Sequence, residues 1–484
     1  MKPDQYTPEE PISSIATALA PAALGIVRVS GKGCIELVSK VFSRPEALLK
    51  AAGNTLVYGW IIDKSPIDLI IDKSSSDLIR GSTQKIDEVM LAVYRVPKSF
   101  TGEDMVEIFC HGGVSVVTAI HNLLLKNGFR QANRGEYTFR AYINGKTDLT
   151  KAEAVREIIE SHTDVSRSHA AGRLAGSLFE EIDSIKTLII NTLAAIEVEI
   201  EYPEDEETIA DTFDRKDIET AIKRLQSLVD SWKGEKLYQD GARVVLAGKT
   251  NAGKSSLFNS MLKEERAIVS DIEGTTRDWL ESWASINGIP VRLFDTAGLR
   301  QTEDKIEAQG VELSKNLAND ADVVLYLVDS TLPLTPEDKD FIDNCREPLI
   351  VVMNKCDKDS LIKSENDKKK MLLRELRRQP PVCRISAKTG EGLSSLYDQI
   401  TSILTRGIAT ERQQAGLGSQ RQKEAVAEAL ECTKHALISA DDNYTLDAVV
   451  QDLEDALDSL SEVTGDITPD DVLGTIFENF CVGK

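Results

Sequence analysis

The spacing of apolar residues divides the 484-residue chain into three regimes. Residues 12–30, 89–96 and 105–110 form strand-like apolar runs, the first leading into Arg28 and Ser30, and predict an α+β region. From 150 to about 230 apolar residues return at three- and four-residue steps, the period of amphipathic helices in a bundle. Between 241 and about 405, short apolar runs at 243–247, 291–294, 323–328, 349–353 and 382–385 each precede a polar loop. Their alternation with helical segments is the pattern of a parallel, doubly wound sheet. The helical period then resumes over 422–439 and 445–464. A helical regime on both sides of an α/β regime predicts a bundle split by an insertion, which needs only two closely spaced chain ends on the host. The expected fold is multidomain α/β: an α+β domain over 1–146, a helical bundle over 147–238 and 408–484, and a doubly wound domain over 239–407, entered near the glycines at 234 and 241.

Charge and composition narrow the partners. A net charge of −22 with 28% charged residues describes a soluble acidic protein and argues against a general polyanion binder, so any nucleic-acid contact must be local or shared with a partner. The seven cysteines are scattered and lack CxxC spacing, which argues against a disulfide framework or structural zinc and fits a reducing cytoplasm. The acidic start MKPDQYTPEEP has neither a signal core nor a transit face, and no apolar run is long enough to span a bilayer, so neither export nor membrane insertion is expected. The near-duplication IDKSPIDLI, IDKSSSDLI at 62–79 reads as a lengthened surface loop, and the acidic run at 201–207 as a solvated connection between helices. Segments 99–113 and 133–155 are polar and glycine-punctuated, as loops over a scaffold are. By composition Glu103, Asp104, Glu107, His111, Arg134, Arg140 and Lys146 read there as solvated charges and caps. His111 has no second histidine at ligand spacing, and Cys110 reads as a buried small hydrophobe.

One turn of the inserted domain carries chemistry. Residues 248–256, GKTNAGKSS, fit G-x-x-x-x-G-K-[ST] directly after the strand run RVVLA. Gly248 and Gly253 free the backbone to wrap phosphate oxygens, Lys254 neutralises phosphate charge, and Ser255 offers a hydroxyl to Mg²⁺. Then come DIEGTTRD (271–278), DTAG (295–298), NKCD (354–357) and SAK (386–388), in that order. Thr276 can complete the Mg²⁺ shell, Asp295 can hold the ion through water, and Gly298 can donate to the γ-phosphate, contacts that vanish on hydrolysis. Asp357 can accept from guanine N1–H and its amine, which adenine cannot supply. Asn354 and Lys355 are expected to flank the ring, and the Ala387 N–H to meet the base carbonyl. The GTP set is therefore Asn251, Ala252, Gly253, Lys254, Ser255, Ser256, Thr275, Thr276, Asp295, Thr296, Ala297, Gly298, Asn354, Lys355, Asp357, Ser386, Ala387 and Lys388. Leu299 stands where Ras-like hydrolases place a water-orienting glutamine, so hydrolysis needs another route. Asn251 and the acids Glu303, Asp304 and Glu307 are candidates that spacing alone does not separate.

Residues 99–113 (SFTGEDMVEIFCHGG), 135–155 (GEYTFRAYINGKTDLTKAEAV), the nucleotide motifs and the terminal FCVGK together resemble the MnmE (TrmE) family of tRNA-modification GTPases over nearly the whole chain. TGED and CxGK flanking a GTPase domain are far more specific than a P-loop. The resemblance implies an N-terminal domain that dimerises and binds 5-formyl-tetrahydrofolate or a related one-carbon folate. It also implies a flavoprotein partner, MnmG (GidA), in a heterotetramer-type complex that installs an aminomethyl-type group at C5 of wobble uridine 34 in certain tRNAs. Carried onto matching positions, Arg28, Glu107, Lys146 and Lys484 are the folate contacts: three cations for a glutamate tail and a carboxylate for the pterin donor edge. Asn251, Ser270, Ile272 and Thr275 match ligands of a K⁺ ion bridging phosphates when two GTPase domains meet, and Glu307 matches the water-positioning acid. Cys481 falls at the family's C-terminal cysteine, as a catalytic thiol or a packed structural one. ALAPAALG at 18–25 departs from the glycine-rich turn usual there. Two rival readings are a regulatory GTPase of the ribosome-assembly kind and a one-carbon transferase with a vestigial GTPase domain. TGED and CxGK argue against the first, and the intact Ser255, Thr276, Asp295 and Asp357 against the second.

Overall fold

The computed structural model describes residues 10–64, 84–201, 215–264, 281–295, 320–358, 376–406, 415–441, 446–468, 470–481 and 483. The chain divides into two compact units, 1–156 with 461–484, and 157–460. Most of the duplicated segment, from 65 on, and the acidic run from 202 on lie outside the described residues.

In the first unit, strands β1 (Ile12–Ile15), β2 (Ala22–Ser30), β3 (Thr55–Asp63), β4 (Gln84–Tyr94), β5 (Met105–Gly112) and β6 (Arg130–Gln131) form a sheet in the order β3-β4-β5-β2-β1-β6. The two-residue alternation aims Val27, Val89, Leu91, Val106 and Ile108 at one face. There they pack with Ile35 and Val38 of helix α1 (Cys34–Lys40), Leu48 of α2 (Pro45–Leu49), and Val117, Ile120 and Leu124 of α3 (Val114–Lys126). The opposite face carries Arg28 and Glu107, side by side in register. At its Arg28 end lies Tyr137 of α4 (Glu136–Ile143), whose hydroxyl donates to the Arg28 carbonyl at 2.8 Å. Elsewhere the sheet leaves Leu56 63%, Leu24 61%, Tyr58 52% and Met90 46% exposed. Phe139 of α4 and Leu149 and Ala152 of α5 (Leu149–Glu160) pack against Leu473 and Phe477 of α14 (Asp470–Glu478).

Glu107 lies on β5, within the strand-like run expected over 105–110, and the strand extends beyond that run through His111 to Gly112. The reading of Arg140 is corrected. Arg140 is no solvated charge: it is fully buried, as is Glu136 one helical turn before it. Its guanidinium donates to Glu136 at 2.9 Å, to Glu103 at 2.9 Å and to the Glu10 carbonyl at 2.9 Å, while Arg130 binds Glu136 from the other side. Such a cluster persists because each buried charge faces an opposite one.

In the second unit, α6 (Asp164–Ala175), α7 (Ser177–Glu201), α8 (Arg215–Asp240), α12 (Gln420–Asp441) and α13 (Leu446–Thr464) supply the helices. Helix α8 runs unbroken through Gly234 to Asp240; the chain turns at Gly241, whose φ is +69°. Strands β7 (Ala242–Gly248), β8 (Glu281–Ile286), β9 (Ile289–Asp295), β10 (Val323–Asp329), β11 (Leu349–Asn354) and β12 (Val382–Arg384) are ordered β12-β11-β10-β7-β9-β8. Five are parallel, as the alternating pattern requires. Edge strand β8 is antiparallel to β9, a departure from the expected parallel sheet. Asn287 and Gly288, at φ 50° and 85°, make the tight turn that only an antiparallel pair can use. Helices α9 (Lys254–Glu264), α10 (Pro336–Asn344) and α11 (Leu393–Leu404) complete this part.

The buried guanidinium of Arg173, on α6, binds Glu157 at 2.8 Å and Glu235, on α8, at 2.8 Å, and reaches the Gly416 carbonyl at 3.4 Å. Gly416 and Gly418 pass so close that a Cβ would lie 2.5 Å from Glu235 and 2.1 Å from Glu157.

Arg140→Ala removes the cation shared by Glu103 and Glu136 and is expected to cost about 3–5 kcal/mol of stability, read as a lower urea midpoint. Burial raises the Glu136 carboxyl, but hydrogen bonds from Arg130 and the Asn133 N–H, with the charge of Arg140, hold it below its ordinary value. Its contribution is therefore complete above the unfolded carboxylate value of about 4.3 and is lost as pH falls through the depressed folded value. The gap between wild type and Arg140→Ala should narrow below about pH 4; a constant gap would exclude this role for Glu136.

Candidate functional site

Three loops at the carboxyl edge of the parallel sheet meet where such sheets bind ligands. Strand β7 runs between β10 and β9 with Val244, Val245 and Leu246 fully buried, so the loop after it is held from below on both sides. Gly248, Asn251 and Gly253 have φ of 131°, 63° and 98°. A Cβ on Gly248 would stand 2.3 Å from the Leu327 carbonyl, and one on Gly253 2.1 Å from Asn354 Nδ2. Glycine is thus required at both places, and the positive-φ turns make a loop of the kind that gathers backbone N–H groups for anions. Lys254 folds back over it, donating to the Gly248 and Lys249 carbonyls at 2.8 Å each. Ser255 and Ser256 stand exposed at the start of α9. Asp295 ends β9 in register with Leu246 and is buried. A hydroxyl and a carboxylate are the hard oxygen donors that suit Mg²⁺.

The base-reading residues come together. Asn354 is buried, its Nδ2 donates to the Ala252 carbonyl at 2.8 Å, and its Oδ1 accepts from the Lys355 and Ala387 N–H groups at 2.8 and 3.0 Å. The Ala387 N–H is accordingly engaged by Asn354. Asp357 is exposed and accepts from the Ser386 hydroxyl at 2.7 Å, which fixes its carboxylate. Lys355, at φ 67°, binds Asp329 at the end of β10 at 2.7 Å. Burial raises the Asp329 carboxyl, but the Lys355 and Thr331 hydrogen bonds outweigh it and hold the group low. Lys388 is exposed beside them. Ser270, Ile272, Thr275, Thr276, Thr296, Ala297, Gly298 and Glu307 lie outside the described residues, as does Lys484.

A second polar site lies in the first unit. Arg28 donates to Glu107 through Nε at 2.9 Å and Nη2 at 2.7 Å, and through Nη1 to the Gly483 carbonyl at 2.9 Å. The Tyr94 hydroxyl donates to the other Glu107 oxygen at 3.3 Å. Arg28 is thus paired rather than standing ready as a lone cation. Lys146 is exposed and donates to the Pro97 carbonyl at 3.1 Å, and Cys481 is an exposed free thiol. Tyr137, with Arg28 5.6 Å from its ring centre, belongs to this site too, and its place within GEYTF was the one sequence signal for it.

A strand, phosphate loop and helix at the edge of a parallel sheet, with an oriented aspartate beyond, define a P-loop protein of the guanine-nucleotide class. The family model described as GTP-binding protein TrmE N-terminus matches residues 11–146, and that of the MnmE helical domain matches 149–481. Among curated relatives, the tRNA modification GTPase MnmE of Treponema denticola is 48% identical over all of both chains. That of Treponema pallidum (strain Nichols) is 40% identical over all of both, and that of Borreliella burgdorferi (strain ZS7) 38% over 98% of each. The chain belongs to the MnmE family of tRNA modification GTPases, and as an enzyme it is a GTP hydrolase.

Asn354→Ala removes hydrogen bonds worth about 1 kcal/mol each that join the phosphate loop to 387, and is expected to weaken GDP binding about tenfold or more. Asn354→Asp keeps the acceptor but sets a buried carboxylate oxygen against the Ala252 carbonyl in place of the donor, so its loss should be at least as large. Titration with a fluorescent GDP analogue measures both; equal affinity in wild type and Asn354→Ala would refute the tether.

Proposed function

We propose that this chain is a dimeric, potassium-dependent GTPase that acts with an MnmG-type flavoprotein to modify C5 of wobble uridine 34 in certain tRNAs, taking a one-carbon unit from 5-formyl-tetrahydrofolate or a related folate. The observation that carries the modification half is the Arg28–Glu107 pair bound to the Gly483 carbonyl. Arg28 and Tyr94 fix Glu107 as an acceptor for the donor edge of a pterin, leaving Lys146 and Lys484 for the glutamate tail. Leu24, Leu56, Tyr58 and Met90, exposed on the same sheet face, favour pairing of two copies there.

In this reading residues 1–146, 147–238 with 408–484, and 239–407 are the folate-binding, helical and GTPase domains. Ser255 and Thr276 hold Mg²⁺, Asp357 reads guanine, Glu307 positions water, and Asn251 with Ser270, Ile272 and Thr275 holds K⁺. The exposure of Asn251 supports its being shared with a second GTPase domain. Free thiols at all seven cysteines, and the absence among the described residues of a helix long and apolar enough to cross a membrane, favour a cytoplasmic location. The net charge of −22 favours a partner that supplies much of the tRNA contact.

GTP turnover in matched potassium and sodium buffers tests the GTPase half: strong activation by potassium, with activity per molecule rising with protein concentration, is expected, and indifference to both would remove the cation-bridged pairing. Glu307→Ala should bind GTP normally and lose turnover; unchanged turnover would exclude its catalytic role. Calorimetric titration with 5-formyl-tetrahydrofolate tests the other half. Wild type should bind, and Glu107→Gln should lose about tenfold or more in affinity, since hydrogen bonds to a charged group contribute about 1.5–3 kcal/mol each; no binding by wild type would favour the regulatory reading.

A further inference from the structure

The strand pair β8–β9 follows the DIEGTTRD segment and ends on Asp295 of DTAG, so it joins the two loops that report on the γ-phosphate. Its outer strand carries Trp283. Across the pair, in register, lies Arg292, with its guanidinium 4.8 Å from the centre of the indole. The imidazole of His162, from the connection between α5 and α6, stacks on the same indole at 3.7 Å and 20°. Burial, helped by the charge of Arg292, lowers the His162 pKa and favours a neutral ring in the stack. Two close approaches add to this contact. A Cβ on Gly241, where α8 gives way to β7, would lie 2.5 Å from Trp283 Cζ3, and one on Gly288, at the hairpin tip, 2.8 Å from Val165 at the start of α6. The connection before α6, the start of α6 and the turn after α8 therefore bear on one hairpin, two of them on one side chain. None of these residues belongs to the nucleotide site.

We propose that Trp283 is a positioning residue for the GTPase cycle, the joint through which the strand pair between the two nucleotide-sensing loops moves helix α6. This rests on the GTPase reading above. A flat, closely packed ring between two elements cannot yield gradually, so a change of twist in the strands either carries His162 and the start of α6 with it or breaks the stack. The large side chain occupies an edge-strand position on the face turned toward the helices, where a polar residue would otherwise be solvated.

Hydrogen–deuterium exchange of the full-length protein, loaded with GDP or with a non-hydrolysable GTP analogue, tests the joint, with nucleotide affinity measured in parallel. In wild type, peptides covering 164–175 should differ between the two states by about fivefold or more in exchange rate. In Trp283→Ala and in His162→Ala the difference should vanish while nucleotide affinity stays within about twofold, since neither touches nucleotide; Trp283→Phe should keep most of it. His162→Ala leaves the strand pair intact and so decides the matter if Trp283→Ala folds poorly. A difference that persists in His162→Ala, or is absent in a wild type that binds both nucleotides, overturns the joint alone. Failure of wild type to bind GTP brings down the GTPase reading and the joint together.

Discussion

One guanidinium ties together the two chain crossings between the helices of the second unit and its inserted sheet. The chain leaves the helices through α8 and returns through residues 415–419, and Arg173 binds Glu235 on the way out and the Gly416 carbonyl on the way back. Gln239 donates to the Gly418 carbonyl at 2.8 Å, and the Gly418 N–H donates to Gln422 at 2.6 Å, so the two crossings are also stitched directly. Glycine at 416 and 418 lets backbone lie against the carboxylates of Glu235 and Glu157. Burial raises the Glu235 carboxyl, but the His169 hydrogen bond and the Arg173 charge hold it low. An insertion needs host ends that stay together, and a buried cluster of opposite charges is costly to pull apart.

Asn354 plays the corresponding part within the nucleotide site. One buried amide uses its donor on Ala252 and its acceptor on two N–H groups, so the loop that meets phosphate and the loop that meets the base share a single fixed point. The same amide occupies the space that a side chain at 253 would need. The glycine of the phosphate loop and the asparagine of NKCD are therefore one packing solution written at two distant places.

Much of this was legible in the sequence because it is local. Apolar period located the strands and helices, and the fixed spacing of GKTNAGKSS placed a loop whose demands are met within nine residues. What escaped is pairing across the chain. Arg140 read as a solvated charge because nothing nearby reveals that Glu103, 37 residues away, completes its burial. Arg28 read as a free cation because its partner Glu107 is 79 residues on. The antiparallel β8 escaped for another reason: Asn287–Gly288 is a clear hairpin signal, but the alternation around it was absorbed into a parallel pattern.

The bond from Arg28 to the Gly483 carbonyl spans 455 residues of sequence. Ribosomes deliver the strand that carries Arg28 early and its acceptor only after the whole of the inserted sheet has been made. A chain that stops within the second unit would have strands β1–β6 and the Arg28–Glu107 pair but not the carbonyl that occupies the third arm of the guanidinium. The last partner of Arg28 thus arrives only after the nucleotide-binding loops have been made.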